Sequence, residues 1–179
     1  LELVLSEDGS SDHTKEVIVK LSEEIPLKAV LSPRRKGYAI GIKSGLNLVE
    51  AIHVLITDSD GQHRAGDFWK LWRMREKFDI VNGWRVRRAD AFHRNLMSRS
   101  FQLMARYAFK LPSLKDITAP FKLMKTDVAK RIANECKYMR ESFWTEFTIR
   151  ACAKGFRITD VPVGHRARIG GSTQVYRPW

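Results

Sequence analysis

His53-Val54-Leu55-Ile56-Thr57-Asp58-Ser59-Asp60-Gly61-Gln62-His63 is the stretch from which the rest of the chain is read. A five-residue, largely apolar run, His53–Thr57, predicts a β-strand. It leads without a break into two carboxylates two positions apart. In an open parallel sheet, ligands bind beyond the carboxyl ends of the strands. Two carboxylates there can face one divalent cation, and oxygen ligands suit Mg²⁺ or Mn²⁺. The same tripeptide also reads as a polar turn in which Asp and Gly serve the backbone. The tripeptide alone leaves both readings open, and the pattern around it bears on the choice.

Working outward, short apolar runs alternate with amphipathic ones. Leu3–Ser6 predicts a strand and His13–Glu24 a helix, with Val17, Ile18 and Leu21 at helical spacing and Ser11 or Asp12 as its cap. Lys28–Leu31 is a strand. Gly37–Val49 is a helix whose apolar face is Ala39, Ile40, Leu46 and Val49. Asp67–Lys77 is a third helix and Asp79–Val81 a strand. Beyond it the spacing predicts helices over Phe92–Lys110, Thr126–Glu135 and Phe143–Gly155, the last closed by Gly155. Ile158–Val163 is a terminal strand, and Gly164–Trp179 reads as a Gly- and Arg-rich loop. Alternating strands and helices imply an α/β fold with a largely parallel sheet.

The chain has 179 residues, of which 44% are hydrophobic, enough to bury a core. Its length suggests one domain. No apolar stretch approaches the ~20 residues of a membrane helix, and Leu1–Leu5 reads as a strand rather than a signal peptide. Cys136 and Cys152 are too few for a disulfide framework, and reduced buried thiols in a reducing compartment are expected. The net charge is +12, yet residues 1–80 carry net −1 and residues 81–179 net +13. The basic part suits a phosphate, a polyanion or an anionic membrane. Nucleic acid follows on charge alone, although no nucleic-acid-binding motif accompanies it.

Three further segments have the residue types for chemistry. Glu7-Asp8-Gly9-Ser10-Ser11-Asp12 lies between a strand and a helix, where carboxylates can meet a base or ribose hydroxyls; an ordinary capped connection has the same composition. Pro33-Arg34-Arg35-Lys36-Gly37 brings basic side chains to a helix N-terminus, an anion site or a solvated charge run. Arg85, Arg87, Arg88 and Arg94 crowd the segment after Asp79–Val81. Arg94 and Ser98 stand one helical turn apart and can face one phosphate. Arg166 and Arg168 lie in the glycine-rich tail. Glu146, among Phe143, Trp144, Phe147 and Ile149, is either a base with a raised pKa or the i,i+4 partner of Arg150.

In order, these segments resemble the inverting nucleotide-sugar glycosyltransferases of family 2. The matching pieces are Glu7 to Asp12, Arg35-Lys36-Gly37-Tyr38-Ala39, Asp58 to His63, and Asp116 before Pro120-Phe121-Lys122-Leu123-Met124. Gly155-Phe156-Arg157-Ile158 and Val161-Pro162-Val163 with His165, Arg166 and Arg168 follow. Within the family the likeness is to the dolichyl- or polyprenyl-phosphate sugar synthases, through Arg85, Arg94 with Ser98, and Arg168 before Gly170-Gly171-Ser172. The resemblance implies a GT-A, Rossmann-like three-layer α/β sandwich with a mostly parallel central sheet. It implies one domain over 1–179, with a nucleotide-sugar half (1–82) and an acceptor half (83–179).

The resemblance also implies roles. Asp58 and Asp60, with Gln62, would hold Mg²⁺ or Mn²⁺ on the donor diphosphate. Glu7, Asp8, Arg35 and Lys36, with Asp58, would bind the donor nucleotide, GDP- or UDP-linked. Arg85, Arg94, Ser98 and Arg168 would hold a polyprenyl or dolichyl phosphate. The sugar would be transferred with inversion at the cytoplasmic face of an anionic membrane, by an enzyme in peripheral contact with it. A phosphate acceptor is already anionic and needs little general-base help. A saccharide or small hydroxylated acceptor would need a base, with Asp116 or Glu146 the candidates. A basic nucleic-acid-binding module is the alternative of another class. Three departures from the pattern stand out. Glu7 replaces an Asp, Gly170-Gly171 adds a glycine, and the family's opening strand with its Pro-x-(Tyr/Phe)-Asn-Glu loop would precede Leu1. The resemblance thus implies either a fragment, cut short at both ends, or a divergent and inactive member of the family.

Overall fold

A computed structural model describes residues 1–86 and 92–167, the side chains of 92–99 excepted. The chain packs as two units, residues 1–54 with 125–143 and residues 55–124 with 144–179.

In the first unit, β1 (Leu3–Glu7) and β2 (Leu27–Leu31) form a parallel pair with Leu3 opposite Leu27 and Glu7 opposite Leu31. The crossover between them holds α1 (Thr14–Glu24). Asp12 starts this helix: its Oδ1 accepts from the Thr14 amide at 3.0 Å and from the Thr14 hydroxyl. Of the three expected apolar positions, Ile18 is buried while Val17 is exposed. The next helix, α2 (Tyr38–Leu48), lies close on β1 because it has glycines one turn apart. A Cβ on Gly45 would stand 3.2 Å from the Ser6 Cβ. The Ser6 hydroxyl donates to the Gly41 carbonyl at 2.7 Å.

After α2 the chain enters β3 (His53–Ile56), where it passes from the first unit to the second. The first unit is completed by α5 (Thr126–Glu135), which buries Val128, Ala129, Ile132 and Ala133. Its Lys130 donates to the Val49 carbonyl at 2.7 Å, and Lys43 of α2 donates to the Cys136 carbonyl at 2.6 Å.

The second unit holds α3 (Phe68–Trp72), β4 (Ile80–Arg85), α4 (Phe92–Ala108), most of β5 (Lys122–Lys125) and of α6 (Phe143–Ala153), and β6 (Ile158–Val163). The strand order is β3-β5-β4-β6. β4 and β6 are parallel, while β5 runs antiparallel to β4. The expected parallel character therefore holds for β1–β2 and β4–β6, and β5 interrupts it. The strand Lys122–Lys125 overlaps the Pro120–Met124 motif, for which the sequence predicts no strand. The expected helix Asp67–Lys77 is only five residues long, after a 3-10 turn at Ala65–Asp67. The short β4 expected at Asp79–Val81 extends to Arg85, because Gly83 fits under Phe121. A Cβ there would come within 2.8 Å of both the Phe121 ring and its carbonyl oxygen.

Among the described residues, two apolar clusters pack in this unit. Leu71, Val81, Phe121, Leu123 and Val163 form one, with Leu55 and Phe68 against it. Ala105, Leu111, Leu114 and Ile117 form the other, backed by Ile149, Cys152 and Ile158. Gly155, at φ +74°, closes α6 as expected: its amide reaches the Cys152 carbonyl and the Phe156 amide the Ala151 carbonyl. Pro162 sits opposite Trp84 on β6, the outer strand among the described residues, the position a sheet tolerates for a residue without an amide hydrogen. Both cysteines are free thiols, Cys136 buried and Cys152 half-buried.

Candidate active site

In the first unit, the loops after β1 and β2 are pressed together at Gly9. Its φ is +72°, and a Cβ would lie 2.2 Å from the Arg34 carbonyl carbon, so only glycine fits. The contact sets Asp8 against the turn before α2. The Asp8 carboxylate accepts from the Lys36 amide at 2.8 Å and the Gly37 amide at 2.7 Å. Asp8, Arg35 and Lys36, predicted to act together, are thus neighbours, with the Arg35 and Lys36 side chains exposed.

Glu7 faces inward. One carboxylate oxygen accepts from the Ser10 amide, and the other is buried, without a hydrogen bond, 4.0 Å from Lys15 Nζ. Burial opposes its charge, but Ser10, Lys15 and Ser32 outweigh that and hold the pKa below the ordinary value. The expectation of a base contact from Glu7 meets a carboxylate committed to its own turn.

In the second unit, Asp58 and Asp60 leave the end of β3 half-buried. The Gln62 amide donates to Asp60 Oδ1 at 3.1 Å, an Asx turn that aims the loop. Residue 62 is also clasped to the late basic segment. The Arg166 amide donates to the Gln62 carbonyl at 2.9 Å, and Gln62 Nε2 donates to the Arg166 carbonyl at 3.2 Å. Beside it, Asp67 accepts from the Gly164 amide at 2.8 Å and pairs with Lys70 at 2.6 Å. Two motifs a hundred residues apart in sequence are therefore one surface.

His63 stacks on Phe121, ring centroids 4.9 Å apart, and meets His165 edge-on. Burial, then the charges of His165 and Arg85, bring its pKa down to about 4 against the pull of Asp60 and Asp116. The ring is neutral at physiological pH.

Among the described residues no group of three or more His, Cys, Asp or Glu side chains is arranged to hold a metal ion. That is compatible with Mg²⁺ or Mn²⁺ in a phosphate-binding site, which commonly takes one or two protein carboxylates and fills its shell with water and substrate oxygens. The donor set at the end of β3 is of that kind: two half-buried carboxylates and a glutamine whose amide nitrogen is spent on Arg166, leaving its oxygen as the atom to offer an ion.

Behind this loop lies a buried polar network. Arg85 grips Asp116 with two hydrogen bonds, Nε–Oδ2 2.7 Å and Nη2–Oδ1 3.0 Å, and Thr118 bonds to both partners. Asn82 Nδ2 donates to the Asp116 carbonyl at 2.8 Å and to Asp160 Oδ1 at 2.7 Å. Lys122 Nζ donates to Asn82 Oδ1. Lys122 is 1% exposed, and burial lowers its pKa to about 8 against the pull of Asp116 and Asp160.

The two predicted acceptor-side and base residues, Arg85 and Asp116, are thus partners of each other. Glu146 takes the pairing reading: its Oε1 accepts from Arg150 Nε and Nη2, each at 2.8 Å. Arg94 and Ser98 lie on α4, with side chains outside the described residues, as are Arg87, Arg88, Arg168 and the Gly170-Gly171-Ser172 loop. The sequence alone does not single out Asn82 or Asp160, and it gives Lys122 no role. The signal available was a polar residue within the otherwise buried runs Ile80–Gly83 and Phe121–Met124.

The fold is that of the GT-A glycosyltransferases. The family model of glycosyl transferase family 2 matches residues 1–133, and the chain belongs to that family. It is 30% identical over 106 residues to the undecaprenyl-phosphate 4-deoxy-4-formamido-L-arabinose transferase of Photorhabdus laumondii, covering 58% of this chain and 33% of the relative. It is 30% identical over 110 residues to the enzyme of that name from Serratia proteamaculans, covering 60% and 34%. The chain thus spans about a third of the length of these curated relatives. Among solved structures it resembles S. aureus TarS 1–349 (TM-score 0.59, 18% identity, 89% of this chain and 48% of that one). It also resembles the glucosyl-3-phosphoglycerate synthase of Mycobacterium tuberculosis, solved with Mn²⁺, UDP and glucosyl-3-phosphoglycerate (TM-score 0.60, 14% identity, 96% and 62%).

Proposed function

We propose that this chain belongs to a glycosyltransferase that moves a sugar, with inversion, from a GDP- or UDP-linked donor to a polyprenyl phosphate. The observation that carries the reading is the clasp between Gln62 and Arg166, which joins the Asp58-Ser59-Asp60 loop to the late basic segment. An acidic loop made for a cation and a basic segment made for a phosphate then share one surface. The curated relatives, named for transfer to undecaprenyl phosphate, support the same acceptor class.

Asp58, Asp60 and Gln62 would hold Mg²⁺ or Mn²⁺, which when bound neutralises charge growing on the leaving nucleoside diphosphate. Asp8, Arg35 and Lys36 bind the donor nucleotide. On the acceptor side, Arg85 supplies positive potential and Asp116 fixes its guanidinium plane, with Arg94, Ser98 and Arg168 as further phosphate ligands. A phosphate oxygen attacks as the anion it already is, so the protein's part is alignment and electrostatics. The committed Asp116 and Glu146 carboxylates favour this acceptor over a hydroxyl that needs a base. The setting is the cytoplasmic face of a membrane, in peripheral contact with its lipids.

Calorimetric titration with UDP and GDP, with and without Mn²⁺, tests the reading. We expect cation-dependent binding that Asp60→Ala abolishes while the circular dichroism spectrum is kept. Nucleotide binding indifferent to both changes would remove its centre.

A further inference from the structure

The second half of α4 has two apolar sides. Ala105 faces inward, to Leu111, Leu114 and Ile117. At helical spacing on the other side, Leu103, Met104 and Tyr107 are 68%, 66% and 90% exposed, and Phe109 just beyond the helix is 56% exposed. The first three fall within about a quarter turn of each other at 3.6 residues per turn. A lone exposed leucine needs no explanation, whereas a cluster rich in aromatics marks an interaction surface.

The charges around the cluster indicate what it meets. From Ala91 to Lys115 the sequence contains five Lys or Arg and no Asp or Glu. Arg106 lies on the helix beside the exposed stripe and Lys110 just past its end. Lys110 sits at φ +48°, where the Leu111 amide returns to the Arg106 carbonyl, a closing position that glycine usually fills. Among the described residues no helix is long and apolar enough to cross a membrane. Apolar and aromatic side chains flanked by cations, with no acid in the segment, are the composition of a helix lying in the headgroup region of an anionic bilayer.

We infer that the exposed face of α4, with Leu103, Met104 and Tyr107 at its centre, is the surface by which the protein docks on an anionic lipid bilayer. This deepens the proposed reading, in which the acceptor is a membrane lipid, by naming the face that meets the membrane. A second copy of the chain is the competing occupant. An acid-free basic segment repels its own copy, however, and anionic lipid attracts it.

The test is co-sedimentation of the protein with vesicles of phosphatidylcholine alone or mixed with phosphatidylglycerol. We expect binding to the mixed vesicles that weakens with salt, and little to the neutral ones. Leu103→Ser with Tyr107→Ser should lower the partition coefficient roughly tenfold or more, since each tenfold is only about 1.4 kcal/mol and burying one such side chain is worth at least that. Lys110→Gln should weaken binding to mixed vesicles alone. Equal binding by the double variant and the parent would overturn the inference. So would a dimer in sedimentation equilibrium, without lipid, that the double variant abolishes. Mn²⁺-dependent nucleotide binding should be the same in parent and double variant. Its absence from both, with vesicle binding intact, counts against the transferase reading and not against this surface.

Discussion

Lys122 offers the sharpest test of the buried network. The ammonium is surrounded by Asn82, the Trp144 ring 5.6 Å away, and the charges of Asp116, Asp160 and Arg85. Burial lowers its pKa from 10.5 to about 8. Below pH 8 the lysine is charged in both folded and unfolded chains, and the folded state bears the full desolvation penalty. Between 8 and 10.5 the folded form has lost the proton while the unfolded form keeps it. The unfolded chain then binds more protons, so stability rises with pH across this window. At about 1.4 kcal/mol per pH unit the whole gain is about 3 kcal/mol. Above 10.5 the penalty is gone.

The assay is urea unfolding followed by tryptophan fluorescence between pH 7 and pH 10 for the parent and Lys122→Met. Cys152, whose pKa burial raises and the Lys122 charge lowers, acts in the opposite sense at the alkaline end, so both proteins carry Cys152→Ala. The difference between the two curves then isolates the lysine. The parent should gain on the variant steadily from pH 8 upward. A difference flat with pH would refute the reasoning, because it would mean that the ammonium reaches water in the folded protein.

Asp116→Leu should cost roughly 3–5 kcal/mol by taking its carboxylate counter-charge from the buried Arg85 guanidinium, and Asp116→Leu with Arg85→Met should recover most of it; urea midpoints of the three proteins decide. Gly9→Ala should destabilise by roughly 2 kcal/mol or more and weaken nucleotide binding, since the methyl has no room beside Arg34 and the φ is positive. Unchanged thermal unfolding would mean that the two loops are not pressed together. Lys110→Gly should raise stability by about 1 kcal/mol by relieving a left-handed backbone at the end of α4. An unchanged urea midpoint would place that residue in an ordinary conformation.

Much of the fold is legible from periodicity because its signals are local. Ile158–Val163 and Thr126–Glu135 have the predicted bounds: Gly155 and Gly164 bracket the strand, and the spacing of Val128, Ala129, Ile132 and Ala133 carries the helix. The failures share a cause. Asp67–Lys77 has helical spacing throughout, yet it leaves the helix at Trp72, and Phe68, Trp72, Met74 and Phe78 join the core through a series of turns. Lys122–Lys125 has charges at both ends, which hides a strand whose buried lysine finds its hydrogen-bond acceptor in Asn82, forty residues away in sequence. At the candidate site the residue types were readable, but their commitments were not. Nothing local says that Arg85 will spend its fork on Asp116 or that Glu7 will turn inward to Ser10. Those outcomes depend on what packs above each side chain once the sheet has formed.

Pro162 has a consequence beyond the stability of β6. The free margin of any sheet is an invitation to a stranger, because its open donors and acceptors will zip to whatever extended segment drifts past. Among the described residues β6 borders such a margin, and there the proline withholds one rung and puts a ring in its place. A would-be extra strand would have to bridge the gap, so the molecule has a built-in stop against growing into a fibre from that side.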